Sequence, residues 1–261
     1  MTPAPKTFLI NLARRRDRLE RMSEQLEALA IPFSRVEAID AKATSDADID
    51  SVFTTNGKYG PVSKGDKCCT LSHMRSWDDF VGSGAQHALV LEDDVELHKD
   101  AAVLLGDLTW LPEDVQLLKV ESFGSSLQRI LVGKPVRVAS GTSIAPLHSK
   151  HTGAGAYIIS RGLAIWLLSE VRVWPMSVDH MLFNPHISPI TDFVRPYQLI
   201  PAIAKQRDLK KNSDIEEWRE PFRNFSWSTV RRSIRRAYND VSIVPRQAFD
   251  IFTGRSRLVN I

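Results

Sequence analysis

Cysteine is all but missing from the 261-residue chain: Cys68 and Cys69 are the only two, and their adjacency rules out a disulfide framework. The fold must therefore rest on its core, and a reducing cytosol is the expected compartment. No second Cys/His cluster stands at zinc-ligand spacing, which argues against a structural zinc. Long apolar runs are missing as well. Nothing approaches the ~20 apolar residues of a membrane span, and Phe8-Leu-Ile before Asn11 is too short for a signal-peptide core. No Gly-x-Gly-x-x-Gly is present, against a dinucleotide-binding dehydrogenase. No zinc-finger, RNP-like or helix-turn-helix pattern surrounds the basic residues, so nucleic acid is not an expected partner.

What is there suits one large α/β domain with an ordinary core, at 43% hydrophobic residues. The net charge of +3 hides an asymmetry: residues 195–261 carry 14 Lys and Arg against 7 Asp and Glu, while residues 1–194 carry 20 against 24. We therefore expect a body over 1–204 and a basic, partly helical C-terminal extension over 205–261. A basic quarter on a mildly acidic body points to an anionic surface, phospholipid or a phosphorylated glycolipid. Arg231, Arg232, Arg235 and Arg236 have a spacing that shares a helix face, and Trp218, Phe222, Phe225 and Trp227 suit insertion at a membrane interface. A solvated helix packed back on the domain is the alternative.

Periodicity predicts a strand over Lys6–Leu12, a helix from Arg15 to Leu29 with Leu19, Met22, Leu26 and Leu29 on one face, and a strand over Phe33–Ile39. Residues 41–66 are polar and predict a loop. A helix over Asp66–Val81, strands over 87–92, Val115–Val120 and Ala154–Ile159, a helix through Leu163, Trp166 and Leu167, and a short helix at Ser177–Phe183 follow. Alternating strands and helices argue for a three-layer sandwich.

The residues that look chemical fall at strand ends: Asn11, Asp40, and the carboxylates Glu92, Asp93 and Asp94 that close the apolar run Ala88-Leu-Val-Leu. In open α/β sheets ligands bind at the carboxyl ends of strands. Three adjacent anions repel one another, a cost that a divalent cation would remove. Four arginines (Arg14, Arg15, Arg16 and Arg18) after the first strand suit a nucleotide diphosphate, because guanidinium matches phosphate oxygens bidentately. His73 could donate to a phosphate or serve as a structural hydrogen-bonded residue. Asp179 could accept a proton from a nucleophilic hydroxyl, and His180 could ligate a metal held by Asp94.

Taken together, Ile10-Asn-Leu-x-Arg-Arg-x-Asp-Arg18, Ala38-Ile-Asp40, Leu71-Ser-His73 with Trp77, Ala88-Leu-Val-Leu-Glu-Asp-Asp-Val95, Gly153-x-x-Ala-Tyr157 and Val178-Asp179-His180 resemble glycosyltransferase family 25. The resemblance covers roughly residues 6–184. Cys68-Cys69 stands where the family usually has Gly-Cys. What it implies is a GT-A-like three-layer α/β/α sandwich with a mixed, mostly parallel sheet, a UDP-sugar donor, Mn²⁺ or Mg²⁺, and inversion to a β-linkage on a lipooligosaccharide or lipopolysaccharide core acceptor. Under that implication Asn11, Arg14, Arg18, Asp40, His73, Glu92 and Asp93 bind the donor, Asp94 and His180 bind the metal, and Asp179 is the base. A non-catalytic glycolipid-binding module and a metal-dependent phosphoesterase stay open as alternatives.

Overall fold

The computed structural model describes residues 4–53, 62–122, 129–139, 141–171, 173–207, 238 and 241–261. Its centre is an eight-stranded sheet. The first half is built from β1 (Lys6–Asn11), α1 (Arg16–Ala28), β2 (Phe33–Glu37), α2 (Asp46–Asp50), α3 (Lys64–Ser83) and β3 (His87–Glu92). Next come β4 (Val95–Leu97), α4 (Ala101–Leu105), β5 (Leu117–Lys119), β6 (Glu121–Ser122), β7 (Arg129–Val132), β8 (Val136–Ala139), β9 (Thr142–Pro146) and β10 (Ala156–Ser160). The chain then runs through α5 (Arg161–Glu170), α6 (Val178–Phe183), a 3-10 turn at Pro189–Asp192, β11 (Tyr197–Ile200), β12 (Ala204–Gln206), α7 (Val244–Phe252) and β13 (Arg257–Asn260).

Spatial order in the large sheet is β2-β1-β3-β10-β5-β11-β9-β8. The pairings β1·β2, β1·β3 and β5·β11 are parallel and the others antiparallel, so all strands except β10 and β9 run the same way. Successive side chains of a strand point to opposite faces, and here each face has its own core. Phe8, Ile10, Ala88 and Val90 pack with Trp77, Phe80, Leu163 and Leu182 from α3, α5 and α6. Leu9, Leu89 and Leu91 pack with Met22, Leu26, Leu104 and Leu105 from α1 and α4. This is the expected three-layer sandwich, with β1 and β3 buried on both faces as parallel strands require.

Helix limits follow from local chemistry. Ser63 caps α3 by accepting from Asp66 N at 3.2 Å, and Gly84, at φ +77°, ends it in the left-handed region open to glycine. The helix thus starts two residues earlier than its apolar stripe suggests. The segment 41–66, expected as a loop, contains α2, capped by Ser45 on Asp48 N at 3.3 Å. Five residues are too few to show a helical period.

Among the described residues there are two smaller sheets. β12 bridges β4 and β6 beyond the carboxyl edge of the large sheet, and β13 pairs antiparallel with β7. β12 spans residue 204, where the sequence suggested a division, and β13 returns the C-terminal segment to the body. Arg231, Arg232, Arg235, Arg236 and the aromatics from Trp218 to Trp227 lie outside the described residues.

Candidate functional site

The carboxyl ends of β1, β2, β3 and β5 and the amino end of β10 meet at one sheet edge. A cleft of about 720 Å³ opens there, lined in part by Arg14, Asp40, Cys69, His73, Glu92 and Asp94.

At its mouth, Arg14 Nε donates to Asp40 Oδ2 at 2.7 Å. Burial would raise the Asp40 carboxyl, but the Lys42 N–H, 2.9 Å from Oδ1, and the Arg14 guanidinium outweigh it and hold the carboxyl below its ordinary value. Both side chains stay partly exposed at the mouth of the cleft.

Asn11, Arg18 and Asp93 are committed to one another. Asn11 Nδ2 donates to Asp93 Oδ2 at 2.7 Å and to the Arg15 carbonyl at 3.0 Å, and Arg18 Nη1 donates to Asp93 Oδ1 at 2.9 Å. Arg21 donates to the Asp93 carbonyl. Burial raises the Asp93 carboxyl, and Arg18 and Asn11 offset only part of that. The group joins the turn after β1 to the acidic turn after β3, which shapes the cleft floor.

Glu92 Oε1 lies 3.0 Å from His73 Nε2 and 3.6 Å from Cys69 Sγ. His73 Nδ1 lies 2.9 Å from the Tyr157 hydroxyl, which also accepts from Trp77 Nε1 at 2.8 Å. With both ring nitrogens engaged and the side chain fully buried, His73 reaches a ligand only through Glu92. Among the described residues, Cys69, His73 and Glu92 form a group whose ligand atoms lie within 4.8 Å. It suits a hard divalent cation poorly, because burial and Glu92 push the Cys69 thiol well up and His73 has no free nitrogen.

Asp94 behaves differently. Oδ2 accepts from Gln206 Nε2 at 3.0 Å, while Oδ1 is buried without a hydrogen-bond partner. Burial and then Glu92 push its carboxyl up to about 7. A buried orphan oxygen beside a second carboxylate is a feature that a hard cation would relieve; Glu121 Oε2 is also buried without a partner, but that carboxylate already has Lys119.

Asp179, at the start of α6, accepts from Ser177 Oγ at 2.5 Å and from Gly153 N at 3.4 Å. The start of α6 is tied to α3 by Val178 N donating to Thr70 Oγ1 at 3.1 Å, one residue from Cys69, which lines the cleft. His180 follows Asp179, with Nδ1 3.4 Å from Asn184 Nδ2.

Behind Asp179 lies a pair that sequence reasoning missed. Lys119 and Glu121, both fully buried, form a 2.8 Å ion pair. Lys119 Nζ also donates to the Thr152 carbonyl at 3.2 Å and to the Gly153 carbonyl, and packs 4.4 Å from the centre of the Phe183 ring. Glu121 Oε1 accepts from Gly155 N at 2.9 Å. A Cβ on Gly155 would stand 2.6 Å from Glu121 Oε2, so only glycine fits. The one available signal was the alternation Lys119-Val-Glu121 inside an apolar run, which places both charges on one strand face. Gln206 left no signal.

The family model described as Glycosyltransferase family 25 (LPS biosynthesis protein) matches residues 4–182. The lipooligosaccharide biosynthesis protein lex-1 of Haemophilus influenzae is 31% identical over 168 residues, 58% of this chain and 52% of that protein. The chain thus spans about half the length of that relative. The lacto-N-neotetraose biosynthesis glycosyltransferase LgtE of Neisseria meningitidis is 28% identical over 88% of this chain and 85% of its own. A solved glycosyltransferase involved in glycosylation of the major capsid of PBCV-1 aligns at 9% identity and a TM-score of 0.35, over 82% of this chain and 96% of that one. The chain belongs to glycosyltransferase family 25, whose description is LPS biosynthesis protein.

Proposed function

We propose that this chain moves a hexose, galactose or glucose first among them, from a UDP-sugar to a lipooligosaccharide or lipopolysaccharide core acceptor, with inversion at the anomeric carbon. The observation that carries the reading is the cleft edge itself, which the partly exposed Arg14–Asp40 pair and Asp94, with one carboxylate oxygen unpartnered, line together. Arg14 and Asp40 would meet the nucleotide, and Glu92 the ribose or sugar hydroxyls. Asn11, Arg18 and Asp93 hold the loops that carry them. Asp94, with Glu92, would hold Mn²⁺ or Mg²⁺. Bound there, the cation would neutralise the departing diphosphate, the kind of charge stabilisation that is often the largest catalytic contribution.

Asp179 would take the proton from the acceptor hydroxyl as that oxygen attacks. Glu121 is a poorer base despite its raised pKa, because it has no exposed surface through which to touch substrate. His180 lies beside Asp179, where a cation ligand or a charge partner for the base would sit. The acceptor is lipid-borne, so the reading places the protein peripherally on the cytoplasmic face of the inner membrane. Among the described residues no helix is long and apolar enough to cross a membrane.

A screen of UDP-hexoses against glycolipid acceptors tests this. Transfer that depends on added metal is expected. Neither transfer nor metal-dependent donor hydrolysis with any UDP-hexose would reject it, and calorimetry showing no binding of UDP with Mn²⁺ would favour a non-catalytic glycolipid-binding module.

A further inference from the structure

A helix on the surface of a soluble domain normally turns its apolar face inward. α7 does the reverse. Its polar side meets the body: Gln247 Nε2 lies 3.1 Å from His186 Nε2, and Gln247 and Asp250 are both half-buried. The following segment is tied down by Ser256 Oγ, 2.7 Å from His148 Nδ1, and by β13 pairing with β7. The orientation of α7 is therefore held by packing at both ends of this segment. Its apolar side faces out, with Phe252 90%, Phe249 55%, Val244 52% and Ile251 43% exposed. No residue of the helix is buried.

We infer that this outward face is a docking surface for an anionic lipid bilayer. The charges around it select that occupant. Arg246, Arg255 and Arg257 are exposed, and Arg255 lies 5.7 Å over the Phe249 ring, so a cation rims the apolar patch directly. Asp250, the only acidic side chain between 241 and 261, is turned toward the body. Aromatic and aliphatic side chains enter the headgroup boundary while arginines at their edge meet lipid phosphates. The inference deepens the proposed encounter with a lipid-borne acceptor and rests on that reading for its purpose. Its residues are separate from the arginine cluster at 231–236.

The test is co-sedimentation of the full chain with phosphatidylglycerol/phosphatidylethanolamine vesicles, using phosphatidylcholine vesicles as the neutral control. The protein should pellet with the anionic vesicles, and less so as salt rises. Phe249→Ser with Phe252→Ser should weaken that binding by about tenfold or more. Arg246→Gln with Arg255→Gln and Arg257→Gln should weaken it by up to ~100-fold at low salt, at roughly fivefold per basic residue, and leave the neutral control unchanged. Binding is read without donor or acceptor, so it stands or falls apart from the transfer reaction. Wild-type protein that ignores anionic vesicles at low salt, or variants that bind as wild type does, would overturn the inference. So would ultracentrifugation showing a dimer that the phenylalanine variant breaks, which would make a second copy the occupant.

Discussion

The hydroxyl of Tyr157 fixes which nitrogen of His73 carries the proton. Trp77 Nε1 can only donate, and it reaches the Tyr157 oxygen at 2.8 Å, so the tyrosine proton turns to His73 Nδ1 at 2.9 Å. Nδ1 is then the acceptor, and Nε2–H points at Glu92 Oε1, 3.0 Å away. A line of three fully buried side chains thus ends on a carboxylate that lines the cleft.

Tyr157→Phe keeps the ring stacked on His73 and removes the hydroxyl. It leaves the Trp77 indole N–H without this partner in the core, at a cost of about 1–3 kcal/mol, so the urea midpoint should fall. Without that hydroxyl the His73 ring is held by its Nε2–H bond to Glu92 alone, so the ring and the carboxylate it orients can both reorient. The donor KM should then rise. Unaltered donor KM in a destabilised variant would confine the line of bonds to stability.

Asp94 links metal, pH and stability. Its carboxyl titrates near 3.8 when unperturbed and at about 7 in the folded chain. The native state therefore holds this proton more tightly than the unfolded one. The resulting stabilisation is fullest below about pH 4 and is lost as pH rises toward about 7. Mn²⁺ competes with that proton, so its effect on melting temperature should be larger near pH 8 than near pH 6. Asp94→Asn should remove this difference and abolish transfer while the fold persists. A Mn²⁺ shift of equal size in Asp94→Asn would place the ion elsewhere.

Asp179 is kept ionised. Burial raises its carboxyl, but the His180 ring, the Ser177 hydroxyl and the N–H groups of His180 and Gly153 outweigh it, and the pKa falls below the ordinary value. Asp179→Asn should cut turnover by about 10²–10⁴ and spare UDP affinity, because a base acts mainly in the transition state. Collapse of UDP binding in this variant would assign Asp179 to the donor or the metal instead. His180→Ala is the companion: weakened Mn²⁺ binding there would mark a ligand.

Lys119→Met strands the Glu121 carboxylate in the core. Removing one partner of a buried pair costs about 3–5 kcal/mol, read by chemical denaturation. Lys119→Met combined with Glu121→Gln removes both charges and keeps an acceptor for the Gly155 N–H, so much of the loss should return. A double variant as unstable as the single one would mean that Lys119 acts through the Thr152 and Gly153 carbonyls rather than through Glu121.

The first half of the fold is legible in the chain because its signals are local. β1 and β3 are apolar runs closed by polar residues, β2 follows the helix stop at Pro32, and α1 and α3 repeat apolar side chains at helical steps. The carboxylates at residues 92–94 stand out because they end such a run. The second half is less legible: β9 and β11 are short and pair with each other across a long stretch of chain, and β8 joins only as an irregular edge strand on β9.

Sequence alone therefore determined the sandwich, the sheet edge that bears the cleft, and which carboxylates gather there. Tertiary structure decided how each polar group is used. Asp93 turns to Asn11 and Arg18, 82 and 75 residues away, while its neighbour Asp94 keeps an unpartnered oxygen. His73 is closed off by Tyr157, and Lys119, beside its near neighbour Glu121, is enclosed by the remote Thr152 and Gly153 carbonyls and the Phe183 ring. The amphipathic pattern of α7 is likewise written in the chain, but the choice of outward face belongs to Gln247 on His186 and β13 on β7. The reason is the range of the forces. Hydrophobic period and strand ends are set by residues a few positions apart, whereas the state of a buried charge is set by whichever remote partner the fold brings within hydrogen-bond distance.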